Sequence, residues 1–178
     1  ANHASAQCAF NTAAWCSFQN IPVPIMFVCE DNGIGISVPT PNDWIEHQQA
    51  QRPGFRYLKC DGRSLADVYE KTRMAEAYVR SMRRPVFLHM KTVRLLGHAG
   101  SDVESMYNST SAIESAERDD PLLHSARIVI EQGILSTEEV VNLYETTFVR
   151  ARLVEKQKAG VGCCVRENLL IAEMNHLV

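Results

Sequence analysis

The chain has 178 residues, of which 46% are hydrophobic and 22% are charged, and its formal net charge at pH 7 is −3. This length and composition are ordinary for one globular domain with a substantial core. There is no basic stripe of the kind that binds nucleic acid, and no apolar run approaches the roughly 20 residues of a membrane-spanning helix, so we expect no nucleic-acid partner and no membrane insertion.

The first half of the chain alternates between helix and strand patterns. An alanine-rich segment without proline or glycine predicts the first helix, and the prolines after it end that helix. Three short apolar runs predict strands that are covered on both faces. Ser64 is the expected N-cap of a second helix, with Asp67 at the third position. In chain order we predict a helix over residues 4–18, strands over 25–30 and 56–62, a helix over 64–84 and a strand over 86–93.

This order predicts an α/β fold in which a mainly parallel sheet is flanked by helices. After Val93 the sequence is polar and glycine-containing without sustained periodicity, and residues 94–115 predict a long functional loop. Two C-terminal helices follow, because capping residues precede each periodic segment and glycine ends it. We expect one domain over residues 1–160 and a weakly patterned tail over 161–178. The helix limits are Asp120 and Gly133 for the first and the capping box Ser136–Glu139 and Gly160 for the second.

The cysteines form neither a C-x-x-C pair nor, together with His3, His89 and His98, a zinc pattern. We predict that they are reduced thiols of a cytosolic protein and act mainly as small hydrophobic side chains. The six are Cys8, Cys16, Cys29, Cys60, Cys163 and Cys164.

Polar residues follow the first and third predicted strands, where open parallel sheets bind their ligands. Residues 31–35 (DNGIG) offer an amide oxygen and backbone carbonyls, which are the hard ligands that suit Mg²⁺, and their glycines allow a diphosphate to approach closely. The same letters are a strong signal for a plain turn, and both interpretations stay open at this point. Arg94 and His98 could clamp phosphate oxygens, although a histidine on a loop is also commonly a solvated one.

Four segments of the chain together point to one family: NHASAQCAFNTAAW, PIMFVCEDNGIGISVPTP, RPGFRYLKCDGRSLADVY and RPVFLHMKTVRLLGHAGSD. In order and spacing they resemble the alpha subunit of thiamine-diphosphate-dependent 2-oxo acid dehydrogenases, and most of all the branched-chain (2-oxoisovalerate) type. That subunit belongs to the decarboxylating component of large multienzyme complexes. The resemblance extends over roughly residues 1 to 150 and implies an incomplete thiamine-diphosphate-binding fold.

The resemblance also implies roles for single residues. Asn32 matches the second asparagine of the family's thiamine motif, and Asp31 replaces the first. The side chain of Asn32 and the carbonyl of Ile34 would then ligate Mg²⁺, and His98, on the loop that contacts the diphosphate, is the implied catalytic residue. The implied cofactor-binding positions are Asn2, His3, Gly33, Gly35, Ser37, Arg94 and His98.

Departures from the family pattern set further expectations. The Gly-Asp-Gly that begins the thiamine motif would precede Ala1 and is absent, so we expect a partial chain. Ala99 follows His98 where kinase-regulated relatives carry a serine, so we expect no control by phosphorylation there. A generic nucleotide-binding domain is disfavoured because the chain has no G-x-G-x-x-G or Walker loop.

The function implied by the resemblance is decarboxylation of a 2-oxo acid on thiamine diphosphate, followed by transfer of the acyl group to a lipoyl carrier. The implied partners are a beta subunit or beta half of the same enzyme, a lipoyl-bearing acyltransferase and a second copy of the chain in a homo-oligomer. The implied location is the cytoplasm of a bacterium or the mitochondrial matrix of a eukaryote. The alternative is a truncated, non-catalytic module that keeps the fold and a self-association surface.

Overall fold

A computed structural model describes the backbone of residues 3–157 and the side chains of residues 3–151. The chain divides into two compact units, Ala1–Pro121 and Leu122–Val178. Three positions named above lie outside the described residues: Asn2, the expected helix end at Gly160 and the expected tail over 161–178. Within the described part, no helix is long and apolar enough to cross a membrane.

The elements confirm the expected α/β fold with C-terminal helices. The first unit contains α1 (Ala4–Phe18), β1 (Met26–Asp31), β2 (Ile34–Gly35), β3 (Val38–Pro39), α2 (Trp44–Gln49), β4 (Arg56–Asp61), α3 (Leu65–Met82), β5 (Val86–Lys91), a 3-10 turn (Glu104–Met106) and α4 (Thr110–Arg118). Two further helices follow, α5 (Pro121–Glu131) and α6 (Thr137–Gln157).

Two helices had no counterpart in the sequence-based prediction. α2 has six residues, too few to show a helical period. α4 begins inside the segment 94–115, so the prediction of one continuous loop there was wrong. Its start is fixed locally, because the side chain of Ser109 caps it by accepting a hydrogen bond from the N–H of Ala112 at 3.2 Å. The predicted cap of α3 is confirmed, since Ser64 accepts from the N–H of Asp67.

Three strands form a parallel sheet in the order β1–β5–β4. The central strand β5 is in register with both neighbours, so that Phe87 pairs with Phe27 and Tyr57, and further along Lys91 pairs with Asp31 and Asp61. The first four residues of β5 are all buried, which confirms for this strand the expectation of cover on both faces. For β1 and β4 that expectation was wrong, because each has exposed positions, among them Val28 and Lys59. α3 packs against β4 and β5, and its Ala75 is fully buried.

An aromatic cluster joins α1 to one face of this sheet. The ring of Phe10 meets the edges or faces of Phe27 at 5.0 Å and Phe87 at 5.4 Å between ring centres, both nearly perpendicular. Ile45 of α2 and the half-buried Phe55 complete the cluster. This core lies below the carboxyl ends of the strands and holds β1 and β5 in place.

The second unit is built from α5 and α6 around the buried residues Leu123, Ala126 and Val140. The predicted capping box is confirmed at the start of α6: Ser136 Oγ accepts from the N–H of Glu139 at 3.2 Å, and Glu139 Oε2 accepts from the N–H of Ser136 at 2.8 Å. An apolar groove of 530 Å³ runs along these helices.

Candidate functional site

Charged residues form a row where the three parallel strands end. Asp31, Lys91 and Asp61 occupy matching positions on β1, β5 and β4. A cleft of 480 Å³ opens at the ends of β4 and β5, and Lys91, Asp61 and Arg63 are among its lining residues. In open parallel sheets this edge is where ligands bind.

Asp31 is the most heavily partnered side chain of this row. Its carboxylate is 9% exposed; Oδ2 accepts from Lys91 Nζ at 2.6 Å and lies 2.8 Å from His89 Nε2, while Oδ1 accepts from the N–H of Gly33 at 3.0 Å. Burial alone would raise the pKa of this carboxyl, but the hydrogen bonds from Lys91, His89 and Gly33 outweigh it and lower the pKa to about 2. Asp31 is therefore a carboxylate committed to protein partners.

His89 continues this set of contacts into the core. Its side chain is fully buried in the middle of β5, and its second ring nitrogen, Nδ1, lies 2.6 Å from the hydroxyl of Tyr57. The ring of Tyr57 stacks on Phe87 at 6.2 Å. Burial, with Glu46 as the next cause, raises the pKa of the Tyr57 hydroxyl, which therefore stays protonated. Both ring nitrogens of a buried histidine thus have a polar neighbour.

The loop after β1 folds into two successive turns. Asp31 Oδ1 accepts from the N–H of Gly33, and Asn32 Oδ1 accepts from the N–H of Ile34 at 3.1 Å. Gly33 has a φ of +75°, a backbone conformation that residues other than glycine rarely adopt. The turn signal in DNGIG is thereby confirmed, and it leaves the side chain of Asn32 and the carbonyl of Ile34 on an exposed to half-buried loop.

A short hairpin, β2–β3, extends this loop. Gly35 pairs with Val38, so Ile36 and Ser37 form a two-residue connection. Ile36 has a φ of +60°, where such connections normally carry glycine or asparagine and where a β-branched residue is strained. Strain of this kind is concentrated at functional sites and persists only where neighbouring groups hold it.

Arg94, on the loop after β5, holds the strained hairpin turn in place. One terminal nitrogen of its guanidinium donates to the carbonyl oxygen of Ile36 at 2.6 Å, and the other donates to the hydroxyl of Tyr107 at 2.6 Å. The Tyr107 hydroxyl donates in turn to Asp102 Oδ2 at 2.8 Å, and the N–H of His98 donates to the same oxygen at 2.6 Å. These contacts, led by the one from His98, lower the pKa of the Asp102 carboxyl.

The remaining predicted site residues lie at the following places. The ring of His98 is exposed, while its backbone is fixed by Asp102. His3 caps α1, where its Nδ1 accepts from the N–H of Ser5 at 3.3 Å. Ser37 is exposed in the hairpin turn. The structure thus joins Arg94 to the hairpin directly and His98 to Arg94 through Asp102, whereas no contact links His3 to the loops in the described part of the chain.

The sequence matches the family described as "Dehydrogenase E1 component" over residues 1–159, which is most of the chain. The chain belongs to this family. The expected membership of the thiamine-diphosphate-dependent 2-oxo acid dehydrogenases, as an alpha subunit, is confirmed by this match and by the relatives below.

Three relatives give the extent of the similarity. The mitochondrial 2-oxoisovalerate dehydrogenase subunit alpha of Caenorhabditis elegans is 30% identical over 143 residues, which cover 78% of this chain and 32% of that protein. The 2-oxoisovalerate dehydrogenase subunit alpha of Bacillus subtilis (strain 168) is 29% identical over 119 residues, which cover 65% of this chain and 36% of that protein. The mitochondrial pyruvate dehydrogenase E1 component subunit alpha, somatic form, of Homo sapiens is 29% identical over 135 residues, which cover 74% of this chain and 33% of that protein.

The chain therefore spans about a third of the length of these relatives. Branched-chain and pyruvate enzymes match it at almost the same identity, so the branched-chain type is only weakly favoured.

The donor set of the loops fits part of the site that this family implies. Asn32 Oδ1 and the Ile34 carbonyl are neutral oxygens of the kind that Mg²⁺ accepts alongside water and phosphate, and an amide oxygen that already accepts one hydrogen bond keeps a second lone pair. In the described part of the chain, Arg94 Nε is buried without a hydrogen-bond partner, so one donor of the guanidinium is unused. No cluster of three or more histidine, cysteine or acidic side chains in that part could hold a metal on its own.

Sequence reasoning missed most of the groups that support these loops: Tyr57, His89, Lys91, Asp102 and Tyr107. A signal for two of them is present, because His89 and Lys91 interrupt an otherwise apolar strand at alternate positions and so share one face. Polar residues in a strand predicted to be buried demand partners. The sequence does not name those partners, because the register between strands decides them.

Proposed function

We propose that this chain forms part of the thiamine-diphosphate-binding region of a 2-oxo acid dehydrogenase. The observation that carries the proposal is the junction of two loops at the carboxyl edge of the sheet, where Arg94 holds the Ile36 carbonyl, in a chain whose family is known. When bound, thiamine diphosphate would supply the electron sink for loss of carbon dioxide from a 2-oxo acid.

In this proposal Asn32 and the Ile34 carbonyl hold Mg²⁺. Two neutral oxygens leave the charge of the cation available to the diphosphate, and Gly33 and Gly35 keep the backbone free of side chains beside it. A Cβ at Gly33 would meet no atom within 4 Å, so the loop surface at Gly33 is open to a ligand.

Arg94, His98 and Ser37 form the proposed polar contacts to the diphosphate, with Asn2 and His3 approaching from the start of the chain. Arg94 supports this role with its buried and unused Nε donor. His98 supports it with an exposed ring on a backbone that Asp102 fixes, so the imidazole can donate to a phosphate oxygen or hold a proton at the reacting face. We therefore keep His98 as the catalytic candidate of this chain.

The proposal extends to the assembly. A 2-oxo acid would be the substrate, and a beta subunit or beta half, a lipoyl-bearing acyltransferase and a second copy of the chain would be the partners. Similarity to both a bacterial and a mitochondrial enzyme supports a bacterial cytoplasm or a mitochondrial matrix as the location.

A calorimetric titration of the full-length protein with thiamine diphosphate and Mg²⁺ tests the proposal. We expect Asn32→Ala to weaken binding at least about 10-fold, because a metal ligand is lost. Asn142→Ala is the matched control, since Asn142 is an exposed amide on α6, and it should bind as tightly as the unmodified protein.

Equal affinity of the Asn32→Ala variant and the unmodified protein would remove the metal role of Asn32. Absence of any binding by the unmodified, assembled protein would overturn the proposal and favour the alternative of a non-catalytic module that associates with itself.

A further inference from the structure

We propose that Tyr57, His89 and Asp31 form a buried strut that orients the magnesium-binding loop, in which Asp31 is a positioning residue and not a metal ligand. This inference rests on the proposed function, because it concerns the loop that carries Asn32. The inference goes beyond the proposed function because it assigns a role to three residues that touch neither the metal nor the cofactor.

The strut crosses all three strands of the sheet. Tyr57 on β4 contacts His89 on β5 at 2.6 Å, and His89 contacts Asp31 at the end of β1 at 2.8 Å. Tyr57 is fixed from below by stacking on Phe87, and His89 is fully buried. Tyr57 and His89 are therefore held by packing as well as by their hydrogen bonds, which is how a rigid site is supported.

The hydrogen bond at the loop end of the strut has a fixed direction. A carboxylate only accepts, so a proton on His89 Nε2 donates to Asp31 Oδ2. The other ring nitrogen, Nδ1, lies 2.6 Å from the hydroxyl of Tyr57, so both ring nitrogens of His89 are engaged within the strut.

The strut ends on the backbone that flanks Asn32. Asp31 Oδ1 accepts from the N–H of Gly33, and the Asp31 carbonyl accepts from the N–H of Thr92, just after the end of β5, at 3.0 Å. Asn32 is the residue between these two fixed points. The backbone on both sides of Asn32 is therefore held, and its side chain is oriented further by accepting from the N–H of Ile34.

The same contacts keep Asp31 from serving as a ligand. Oδ2 is shared between Lys91 and His89, and Oδ1 is engaged by Gly33, so a cation at Asp31 would have to displace three donors, one of them an ammonium group. The aspartate adds a hydrogen-bond acceptor beneath the loop, and Lys91 balances its charge.

The affinity for Mn²⁺, measured by electron paramagnetic resonance on the assembled full-length protein with thiamine diphosphate present, tests this inference. We expect Asp31→Ala to weaken Mn²⁺ binding by about 10- to 100-fold, as for other residues that orient a metal ligand. Tyr57→Phe, which keeps the stacked ring, should weaken it by about 5-fold through one lost hydrogen bond. Asp31→Asn should recover only part of the affinity, because its single amide oxygen can accept either from Gly33 or from His89 and Lys91, but not from both sides.

Glu76→Gln is the control, because Glu76 is a carboxylate on α3 that pairs with Arg80 at 2.8 Å and is not at the strand ends. Hydrogen exchange of peptides covering residues 31–37 gives a second readout that needs no metal. Exchange should accelerate in Asp31→Ala and in Tyr57→Phe but not in the control. If Asp31→Ala does not fold, Tyr57→Phe alone tests whether the strut orients the loop.

The outcomes separate this inference from the proposed function. If the unmodified protein binds no Mn²⁺ with thiamine diphosphate, the proposed function fails and the metal role of the strut fails with it. If the unmodified protein binds Mn²⁺ and Tyr57→Phe matches it in both affinity and exchange, the strut is overturned while the proposed function stands.

Discussion

The guanidinium of Arg94 and the carbonyl oxygen of Ile36 are 2.6 Å apart and join two loops that are 58 residues apart in the sequence. One of these loops follows β1 and the other follows β5. Because the second guanidinium nitrogen reaches Tyr107, and through it Asp102, a single side chain connects the hairpin to the segment that carries His98. The two loops should therefore become ordered together.

Replacing Arg94 by lysine tests this connection. Lysine keeps the charge but presents one ammonium group, which cannot span two acceptors in the way that a planar guanidinium does. We expect faster hydrogen exchange in both loops and about a 10-fold weaker affinity for thiamine diphosphate with Mg²⁺, from the loss of a charged hydrogen bond. Arg80→Lys is the control, since Arg80 is an exposed helical residue paired with Glu76. Identical exchange in the two variants would show that Arg94 does not hold the loops.

Replacing Ile36 by glycine should stabilise the protein. Its φ of +60° strains a β-branched side chain, and the side chain is 58% exposed, so little burial is lost on removing it. We expect Ile36→Gly to raise the free energy of unfolding by about 1 kcal/mol, which is the lower end of such strain. Urea denaturation measures it.

Val38→Gly is the control for Ile36→Gly, because Val38 is also exposed, at 67%, but lies in strand β3. It should destabilise by about 0.5–1 kcal/mol, as glycine does within a strand. A loss of stability in both variants would mean that Ile36 is not strained in solution.

The sequence predicted those features whose cause is local. Ser64 capped α3 and the Ser136–Glu139 box began α6 as expected, because a cap depends on residues three positions apart. The loop at Asn32 was also predicted, since its turn is made by its own side chains.

The contacts that join strands could not be predicted in the same way. The contact between Tyr57 and His89 depends on β4 and β5 pairing in register across 32 residues of sequence. A shift of this register by one residue would turn Tyr57 to the other face of the sheet. Hydrophobic patterns fix which segments are strands, but the same pattern fits several registers, so the partner of a buried polar residue stays open until the fold is known.

Asp31 makes the stability of the protein depend on pH in acid. Its pKa is lowered from an ordinary 3.8 to about 2 in the folded chain, so the folded state favours the carboxylate. The resulting stabilisation, roughly 2 kcal/mol, is fully present above about pH 5 and is lost as the pH falls toward 2. Asp31→Asn should remove this part of the pH dependence.

Urea denaturation at pH 6 and pH 3 measures the effect of Asp31. The difference in unfolding free energy between the unmodified protein and Asp31→Asn should shrink by about 1 kcal/mol between these two values. A difference that stays constant over this range would show that the Asp31 carboxyl titrates alike in the folded and unfolded chain.

Phe10 and Phe18 offer a matched pair on α1 for testing where the core lies. Phe10 is 6% exposed and packs on Phe27 and Phe87 of the sheet, whereas Phe18 is 74% exposed. Phe10→Ala should lower the free energy of unfolding by about 3–4 kcal/mol, because it leaves a cavity between α1 and the strands that carry Asp31 and His89. Phe18→Ala should change it by less than about 0.5 kcal/mol. A loss for Phe18→Ala as large as that for Phe10→Ala would show that Phe18 is also buried in solution.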